Sequence, residues 1–257
     1  MPRASPVWVW NGPPLRQQLA PWQPLSKNIY ALRLLTRQHQ RLQELKTQST
    51  NQQHALTHSA FDSAFIDRQL ASTVVFYEQQ LADLEKAIAA LIEADAELKP
   101  RVERLVAIKG LGLLSVAVLI AETNGFAGFF NQRQLVSYAG YDVVENQSGT
   151  YRGRTKMSKK GNSRLRRILH LPAFTAVRFG EPTCEALFER VYTSSKVKMK
   201  AYVAVQKRLL LMVYALWRKG CVYEADYVAK LAEAAKKIVP TSGTTQDQEA
   251  QAALSYG

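Results

Sequence analysis

The chain has 257 residues, of which 47% are hydrophobic, and its formal net charge is +13. This apolar content suffices for one sizeable core or two modest domains, and a charge so far from neutrality is typical of proteins that bind a polyanion. Two isolated cysteines, no secretory leader and no apolar run of membrane-spanning length argue against a disulfide scaffold, a zinc site and a membrane partner, so we expect a cytoplasmic protein.

The first hundred residues are predicted to form an irregular lead-in and a helical arm. Residues 1–24 are rich in proline and tryptophan and show no periodicity, whereas residues 25–99 show helical periodicity. The second half of this arm has the heptad seam of a coiled coil, formed by Leu70, Val74, Tyr77, Leu81, Leu84, Ile88 and Leu91. The two arm helices can pair as an antiparallel hairpin or self-associate, and we predict a homo-oligomer formed through the arm.

A compact helical domain is predicted over residues 100–238, with Pro100 breaking the arm. A helix reaches about Ile120, and a short one runs from Asn131 to a cap at Gly140. Residues 141–154 carry β-branched, aromatic and turn residues, which predict a short β-hairpin or an exposed loop.

Helices resume after this segment. One begins at Ser163 and is kinked by Pro172, and the last spans residues 198–219 and is capped by Gly220. A polar tail over residues 239–257 is expected to be disordered. The fold class is therefore mainly α, a helical hairpin or coiled-coil arm followed by a compact helical domain.

Positive charge is concentrated in one part of the chain. Residues 146–220 contain 17 Lys or Arg against three acids. Eight of these cations lie close together: Arg152, Arg154, Lys156, Lys159, Lys160, Arg164, Arg166 and Arg167. A solvent-exposed helical surface usually alternates positively and negatively charged side chains. We therefore predict that this segment forms a surface that binds the phosphate backbone of nucleic acid.

Two segments have the composition of phosphate-binding turns. In residues 158–163, Asn162 or Ser163 can cap the next helix, whose N–H groups then face an anion beside Lys159, Lys160 and Gly161. In residues 108–112, Lys109, Gly110 and Gly112 follow an apolar helix and precede the small Ala117, as in a helix-hairpin-helix. The alternatives are a simple helix cap and an ordinary glycine turn.

A candidate nucleophile precedes the basic run. Gln147-Ser148-Gly149 lies in the predicted hairpin or loop, and a serine hydroxyl needs a base, a metal or charge stabilisation to attack a phosphodiester. Arg152, Arg154, Lys156 and Lys160 are the side chains expected to stabilise the charge that develops. A Ser-Gly pair is otherwise most often a turn.

Taken in order, these motifs carry a resemblance to a known family. Residues 108–112, Phe130 to Gly140, 147–149, and 157–162 with Leu165-Arg166-Arg167 resemble the C-terminal half of insertion-sequence transposases of the DEDD, RNA-guided class, the family that includes the Piv invertase. The resemblance covers residues 22 to 227. It implies that Ser148 attacks DNA and holds it covalently, that a RuvC-like domain binds Mg²⁺ through four carboxylates, and that a non-coding guide RNA pairs with the DNA.

The resemblance is incomplete at the N-terminal end. Residues 1–60 contain a single acid, Glu44, so the acidic metal-binding domain is expected to be missing and no metal ligand or cofactor is predicted in this chain. Val143 stands where the family often has proline. The resulting hypothesis is a nucleoid-associated recombinase part that binds DNA and supplies Ser148. The alternative is an inactive, truncated DNA-binding remnant that occupies element ends or oligomerises with intact transposase.

Overall fold

The computed structural model describes residues 26–59, 63–153, 155–221 and 223. The predicted lead-in, Leu25, Arg154 and the predicted tail lie outside the described residues. Two long helices come first, α1 (Lys27–Thr57) and α2 (Ala64–Ala94). The described part of the chain is mainly helical, as the sequence predicts.

The arm is an antiparallel hairpin. Lys46 pairs with Glu78 at 2.9 Å and His39 with Glu85 at 3.2 Å, so residue numbers rise along α1 as they fall along α2. The predicted heptad seam lies between the helices, where Leu81 and Ile88 are buried. The hairpin is therefore one of the two arrangements that the periodicity left open.

The base of the arm belongs to the core of the molecule. Leu32 of α1 and Ile88 and Ile92 of α2 lie in the same buried cluster as the helices that follow. Burial of such side chains is worth roughly 1.5–3 kcal/mol each, so the arm base and the core stabilise each other.

The chain leaves the arm earlier than Pro100. Helix α2 ends at Ala94, and the Asp95 carboxylate accepts hydrogen bonds from the N–H groups of Glu97 and Leu98. Helix α3 (Leu98–Val106) then holds Pro100 in its first turn. The prediction that Pro100 breaks the arm is wrong, because a proline in the first turn removes no intrahelical hydrogen bond.

Helix α4 (Leu113–Thr123) is the centre of the core, and all of its residues from Val116 onward are buried. Helix α5 (Gln132–Ala139) begins where the Asn131 side chain accepts a hydrogen bond from the N–H of Gln134 at 2.9 Å. It ends at Gly140, which has φ +72°. Both predicted ends of α5 are confirmed.

A two-stranded antiparallel ribbon follows, built from short strands. β1 (Val143–Val144) pairs with β4 (Lys156–Met157), and β2 (Gln147–Ser148) pairs with β3 (Tyr151–Arg152). Between the two ladders the N–H of Gly153 donates to the carbonyl of Asn146 at 2.7 Å. The hairpin is therefore the correct one of the two predicted alternatives.

Four helices complete the described fold. They are α6 (Ser163–Ile168), α7 (His170–Arg178), α8 (Pro182–Ser195) and α9 (Lys198–Lys219). The break at Leu169 precedes Pro172 by three residues, and Gly220 ends α9 with φ +66°, as predicted. None of the helices that the structure describes is both long enough and apolar enough to cross a membrane.

Two glycines in the turn between α3 and α4 allow a matched pair of substitutions that tests the packing of this turn. Gly110 has φ +96°, and a Cβ there lies 2.8 Å from the backbone N of Ala176 in α7, whereas one at Gly112 meets no atom within 4 Å. We expect Gly110→Ala to lower the free energy of unfolding by at least about 2 kcal/mol. Gly112→Ala should change it by less than about 0.5 kcal/mol. Urea titrations followed by circular dichroism measure both; equal effects would contradict the packing described.

Candidate nucleic-acid interface

The ribbon presents Ser148 to solvent. Ser148 is exposed in β2, next to the two-residue turn of Gly149 and Thr150, where Gly149 has φ +57°. No hydrogen bond to its hydroxyl is made by any other residue that the structure describes. The hydroxyl is therefore open to a ligand, but no described side chain is bonded to it as a base.

The register of the ribbon separates Ser148 from Arg152. Ser148 is opposite Tyr151, and Gln147 is opposite Arg152. Residues that face each other across an antiparallel ladder project to the same side, and successive residues alternate. Arg152 therefore leaves from the face opposite Ser148, contrary to the expectation that it lies beside the hydroxyl.

The ribbon returns into a tight loop, residues 158–162, that packs on the end of α5. The N–H of Ser158 donates to the carbonyl of Asp142, and the N–H of Asn162 to that of Tyr138, both at 2.7 Å. Gly161 has φ +144°, and a Cβ there lies 2.4 Å from the Tyr138 carbonyl oxygen. Only glycine fits, and the loop is thereby held beside the ribbon.

Asn162 and Glu122 join this loop to the core and the arm. The Asn162 side-chain oxygen caps α6 by accepting from the N–H of Arg164, while its Nδ2 donates to Glu122 Oε2 at 2.8 Å. Arg37 of α1 donates to both oxygens of the same carboxylate, at 2.8 and 3.1 Å. The Glu122 side chain is 2% exposed, so this is a buried, shared charge.

The environment of Glu122 favours its charged form. Burial alone raises the pKa of this carboxyl, but the hydrogen bonds from Arg37 and Asn162 outweigh burial and lower it below its ordinary value. Hydrogen bonds from Gln40 and Arg167 likewise lower the pKa of Glu44. Both acids are therefore ionised at neutral pH and neutralise part of the basic segment.

Three of the predicted nucleic-acid contacts interact with other groups of the protein. Arg166 donates to the carbonyl of Ala139 at 2.8 Å, Arg167 pairs with Glu44 of the arm, and Arg164 lies 4.0 Å from Glu122. Groups distant in sequence therefore reach these three cations, an acid for Arg164 and Arg167 and a backbone carbonyl for Arg166, and their contact with nucleic acid stays a prediction.

Other predicted contacts remain available to a ligand. Arg152, Lys156, Lys159 and Lys160 are exposed, and none has an acidic partner within the described ranges. We call these residues the ribbon cations. Lys159 adopts φ +54°, which non-glycine residues rarely do, and the N–H of Lys160 donates to Ser158 Oγ at 3.0 Å.

The predicted helix-hairpin-helix segment lies between α3 and α4. Lys109 and Gly112 are exposed, but Gly110 packs against the backbone of α7. The glycine at position 110 is thus required by helix packing, and only Lys109 and Gly112 are placed to meet a ligand. A phosphate-binding role for this turn stays a prediction.

Known proteins share this arrangement of segments. Residues 102–189, from α3 into α8, match the family described as Transposase IS116/IS110/IS902. This part of the chain is therefore similar to that transposase family. The match contains the interhelical turn, the ribbon with Ser148 and the loop at residues 158–162.

Curated relatives agree with the family. The pilin gene-inverting protein of Moraxella bovis is 26% identical over 77% of this chain and 60% of its own length. An uncharacterized protein of insertion element IS900 from Mycobacterium paratuberculosis is 27% identical over 68% of this chain and 43% of its own. An uncharacterized protein of insertion element IS110 from Streptomyces coelicolor is 28% identical over 61% of this chain and 37% of its own length. The chain thus spans about 60% of the inverting protein and less of the others.

Glu122 is the part of this candidate site that the sequence does not reveal. It follows an apolar run in α4, and a single acid in that position is most simply interpreted as marking the end of the helix. Its partner Arg37 lies 85 residues away in the sequence. The available signal is an acid that directly follows the apolar, buried run from Val116 to Ala121, since a charge in that position requires a partner. The sequence does not indicate which partner.

The carboxylates of the described residues do not assemble a metal site. No three His, Cys, Asp or Glu side chains in these ranges come together to hold an ion, and Glu122 is already bonded to Arg37 and Asn162. These residues do not fit the Mg²⁺ that the family resemblance implies. No step below is therefore derived through it.

A substitution at Glu122 tests the buried charge. In Glu122→Gln the amide N–H₂ meets donors from Arg37 or Asn162, so we expect the free energy of unfolding at about pH 7 to fall by roughly 1–3 kcal/mol. The pKa of Glu122 is lower in the folded state than its ordinary value near 4.5. The difference in the free energy of unfolding between wild type and variant should hence have its largest value above the ordinary pKa. It should decrease as the pH falls through the pKa of Glu122 in the folded state.

Urea unfolding at a series of pH values measures this difference. Glu189→Gln, at an exposed glutamate in α8, is the matched control and should leave the unfolding free energy unchanged at each pH. A Glu122→Gln protein as stable as the wild type at neutral pH would show that the shared carboxylate does not stabilise the fold.

Proposed function

We propose that this chain is a DNA recombinase component that binds DNA through its phosphate backbone and supplies Ser148 as the nucleophile for strand cleavage and rejoining. The observation that carries the proposal is the exposed Ser148 hydroxyl, at the end of a ribbon whose other strand and following loop carry exposed cations without acidic partners in the described ranges. The similarity of residues 102–189 to the transposase family supports the same reaction class.

The ribbon cations are the part of the site that holds the strand. Lys156 lies at the base of the ribbon, and Lys159 and Lys160 lie in the loop that follows it. Phosphate contacts position a nucleic acid without reading its sequence, which suits a scaffold of lysine and arginine. Arg152 projects from the other face of the ribbon, so it contacts the same strand only where the strand wraps around the ribbon edge.

The proposed chemistry is a transesterification. Ser148 Oγ forms a bond to phosphorus, the bond from phosphorus to one sugar oxygen breaks, and that oxygen leaves with a proton. The serine proton is released at the same step, and rejoining reverses the exchange with a second sugar hydroxyl. One phosphodiester is exchanged for another in each direction, so the exchange needs no oxidant or reductant.

The wider activity is proposed from the relatives. One is named for inverting a pilin gene and others come from insertion elements, which supports DNA inversion or transposition as the process. We propose carboxylates of another chain as the Mg²⁺ ligands, a non-coding guide RNA as a further partner, and the arm as the contact between copies.

The nucleophile is tested by Ser148→Ala. The substitution removes the hydroxyl from an exposed position, so we expect covalent protein–DNA adducts to disappear while DNA affinity changes by less than about twofold. The substrate is a duplex pool with one bridging phosphorothiolate flanked by random bases, because a thiolate leaves without an acid. Adducts are counted on a denaturing gel.

Thr150→Ala is the matched control, since it removes a neighbouring exposed hydroxyl from the same turn. It should retain the adduct. An adduct that persists in Ser148→Ala would assign the nucleophile to another residue. Wild-type binding without any adduct would favour the inactive DNA-binding remnant.

The division of the cations predicts two kinds of variant. Lys160→Gln should weaken duplex binding, lower the slope of log affinity against log salt by about 0.9, and leave the unfolding midpoint unchanged. Arg166→Gln should instead lower the unfolding midpoint, because it deprives the Ala139 carbonyl of its donor. Fluorescence anisotropy across a salt series and thermal unfolding separate the two effects.

For the wild type, about 6–10 phosphate contacts predict a roughly 10³–10⁵-fold loss of affinity between about 50 and 200 mM salt. An affinity that does not respond to salt would exclude backbone binding. Identical behaviour of Lys160→Gln and Arg166→Gln would contradict the division between free and internally bonded cations.

A further inference from the structure

A row of aromatic rings lies across α7, α8 and α9, apart from the ribbon. Phe174 and Tyr202 stack with centroids 3.7 Å apart, and Phe188 lies 4.6 Å from Tyr202. His170 and Tyr192 extend the row at its two ends, in contact with Phe174 and Phe188. His170 is exposed and the other four rings are half-buried, so the row reaches the surface.

The turn between α8 and α9 places three lysines beside one end of this row. Lys196, Lys198 and Lys200 are exposed and have no acidic partner in the described part of the chain. Lys198 lies one helical turn before Tyr202 on the same side of α9, and Lys196 follows Tyr192 by four residues. Exposed Val197 and Met199 alternate with these lysines.

Their position is electrostatically unfavourable within the protein alone. Lys198 and Lys200 lie in the first turn of α9, where the helix dipole is positive and cations are disfavoured. Lys196 has φ +55°, in the left-handed region. Three cations without acidic partners among the described residues, at this end of a helix, do not stabilise the fold, whereas an external anion that binds them would be stabilised by both the lysines and the helix dipole.

We infer that this surface, the ring row together with Lys196, Lys198 and Lys200, binds an unpaired nucleic-acid strand. Lysines contact the phosphates, and the accessible rings stack on bases, whose faces are free only in a single strand. A duplex hides the base faces, so it offers this surface its phosphates alone. The chemistry is shared by single-stranded DNA and RNA.

This surface is distinct from the ribbon but lies within reach of it. Gln206 of α9 accepts a hydrogen bond from the Tyr141 hydroxyl at the base of the ribbon, at 3.1 Å. Lys198 precedes Gln206 by eight residues, or about 12 Å along the helix axis. A strand displaced at the ribbon therefore meets the aromatic row within a few nucleotides. The inference rests on the proposed function for the class of partner.

The electrostatic part is tested with the full chain carrying Lys196→Gln, Lys198→Gln and Lys200→Gln together. We expect the affinity for a labelled 20-nucleotide single strand to fall at least about tenfold, and the salt slope to decrease by about 2, since each single-strand phosphate contact contributes about 0.7. The affinity for a duplex should fall less than about threefold. DNA and RNA strands are tested separately, and a loss with either supports the surface.

A matched control neutralises three exposed cations of the arm, as Lys27→Gln, Arg41→Gln and Lys86→Gln. This protein has the same net charge as the first variant and should retain single-strand affinity. Equal losses in the two proteins, or equal losses for single strand and duplex, would overturn the inference by reducing it to net charge.

The stacking part is tested at Tyr192, with thermal unfolding to verify each variant. Tyr192→Leu should lower single-strand affinity about tenfold, and Tyr192→Phe should restore it, because the ring rather than the hydroxyl contacts a base. If Tyr192→Leu and Tyr192→Phe both bound the single strand with wild-type affinity, the proposal that Tyr192 stacks on a base would be overturned. Adduct formation at Ser148 is measured in parallel: it should persist in the lysine variant, and its absence in all proteins would count against the proposed function alone.

Discussion

The described structure depends on one buried carboxylate that several elements share. Glu122, at the end of the central helix α4, accepts two hydrogen bonds from Arg37 of the arm and one from Asn162 of the loop at residues 158–162. Removing a charge from water is costly, and the cost is offset only when partners approach with good geometry. The arm and the loop must therefore both be in place before Glu122 is stable as an anion.

This dependence explains why the arm and the helical core are packed together at their junction. Leu32 and Ile92 bury apolar surface against the core, while Arg37 contributes the charge that the carboxylate needs. The Tyr138 hydroxyl donates to the backbone carbonyl of Glu122 and accepts from Asn162, so α5 joins the same network. The loop beside the ribbon is consequently fixed by groups from α1, α4 and α5.

Local signals in the sequence were sufficient for most of the fold. Asn131 and Gly140 define α5, Gly220 ends α9, and Pro172 explains the break before α7, because caps and prolines act through neighbouring backbone groups. The site was predicted less well. Arg166 and Arg167 count as free cations in the sequence, but their partners lie 27 and 123 residues away. The face on which Arg152 projects depends on ribbon register, which composition does not determine.

The ribbon that carries Ser148 differs from this network in one respect. Its strands bury no side chain: seven of their eight residues are exposed and one is half-buried. Segments of this kind belong to the least stable part of a native ensemble, and their amide protons exchange with solvent through local openings rather than global unfolding. The serine thus sits on a segment that can unzip and re-form while the core beneath it stays folded. The orientation of the Ser148 hydroxyl can therefore change without any change in the helices that support the ribbon.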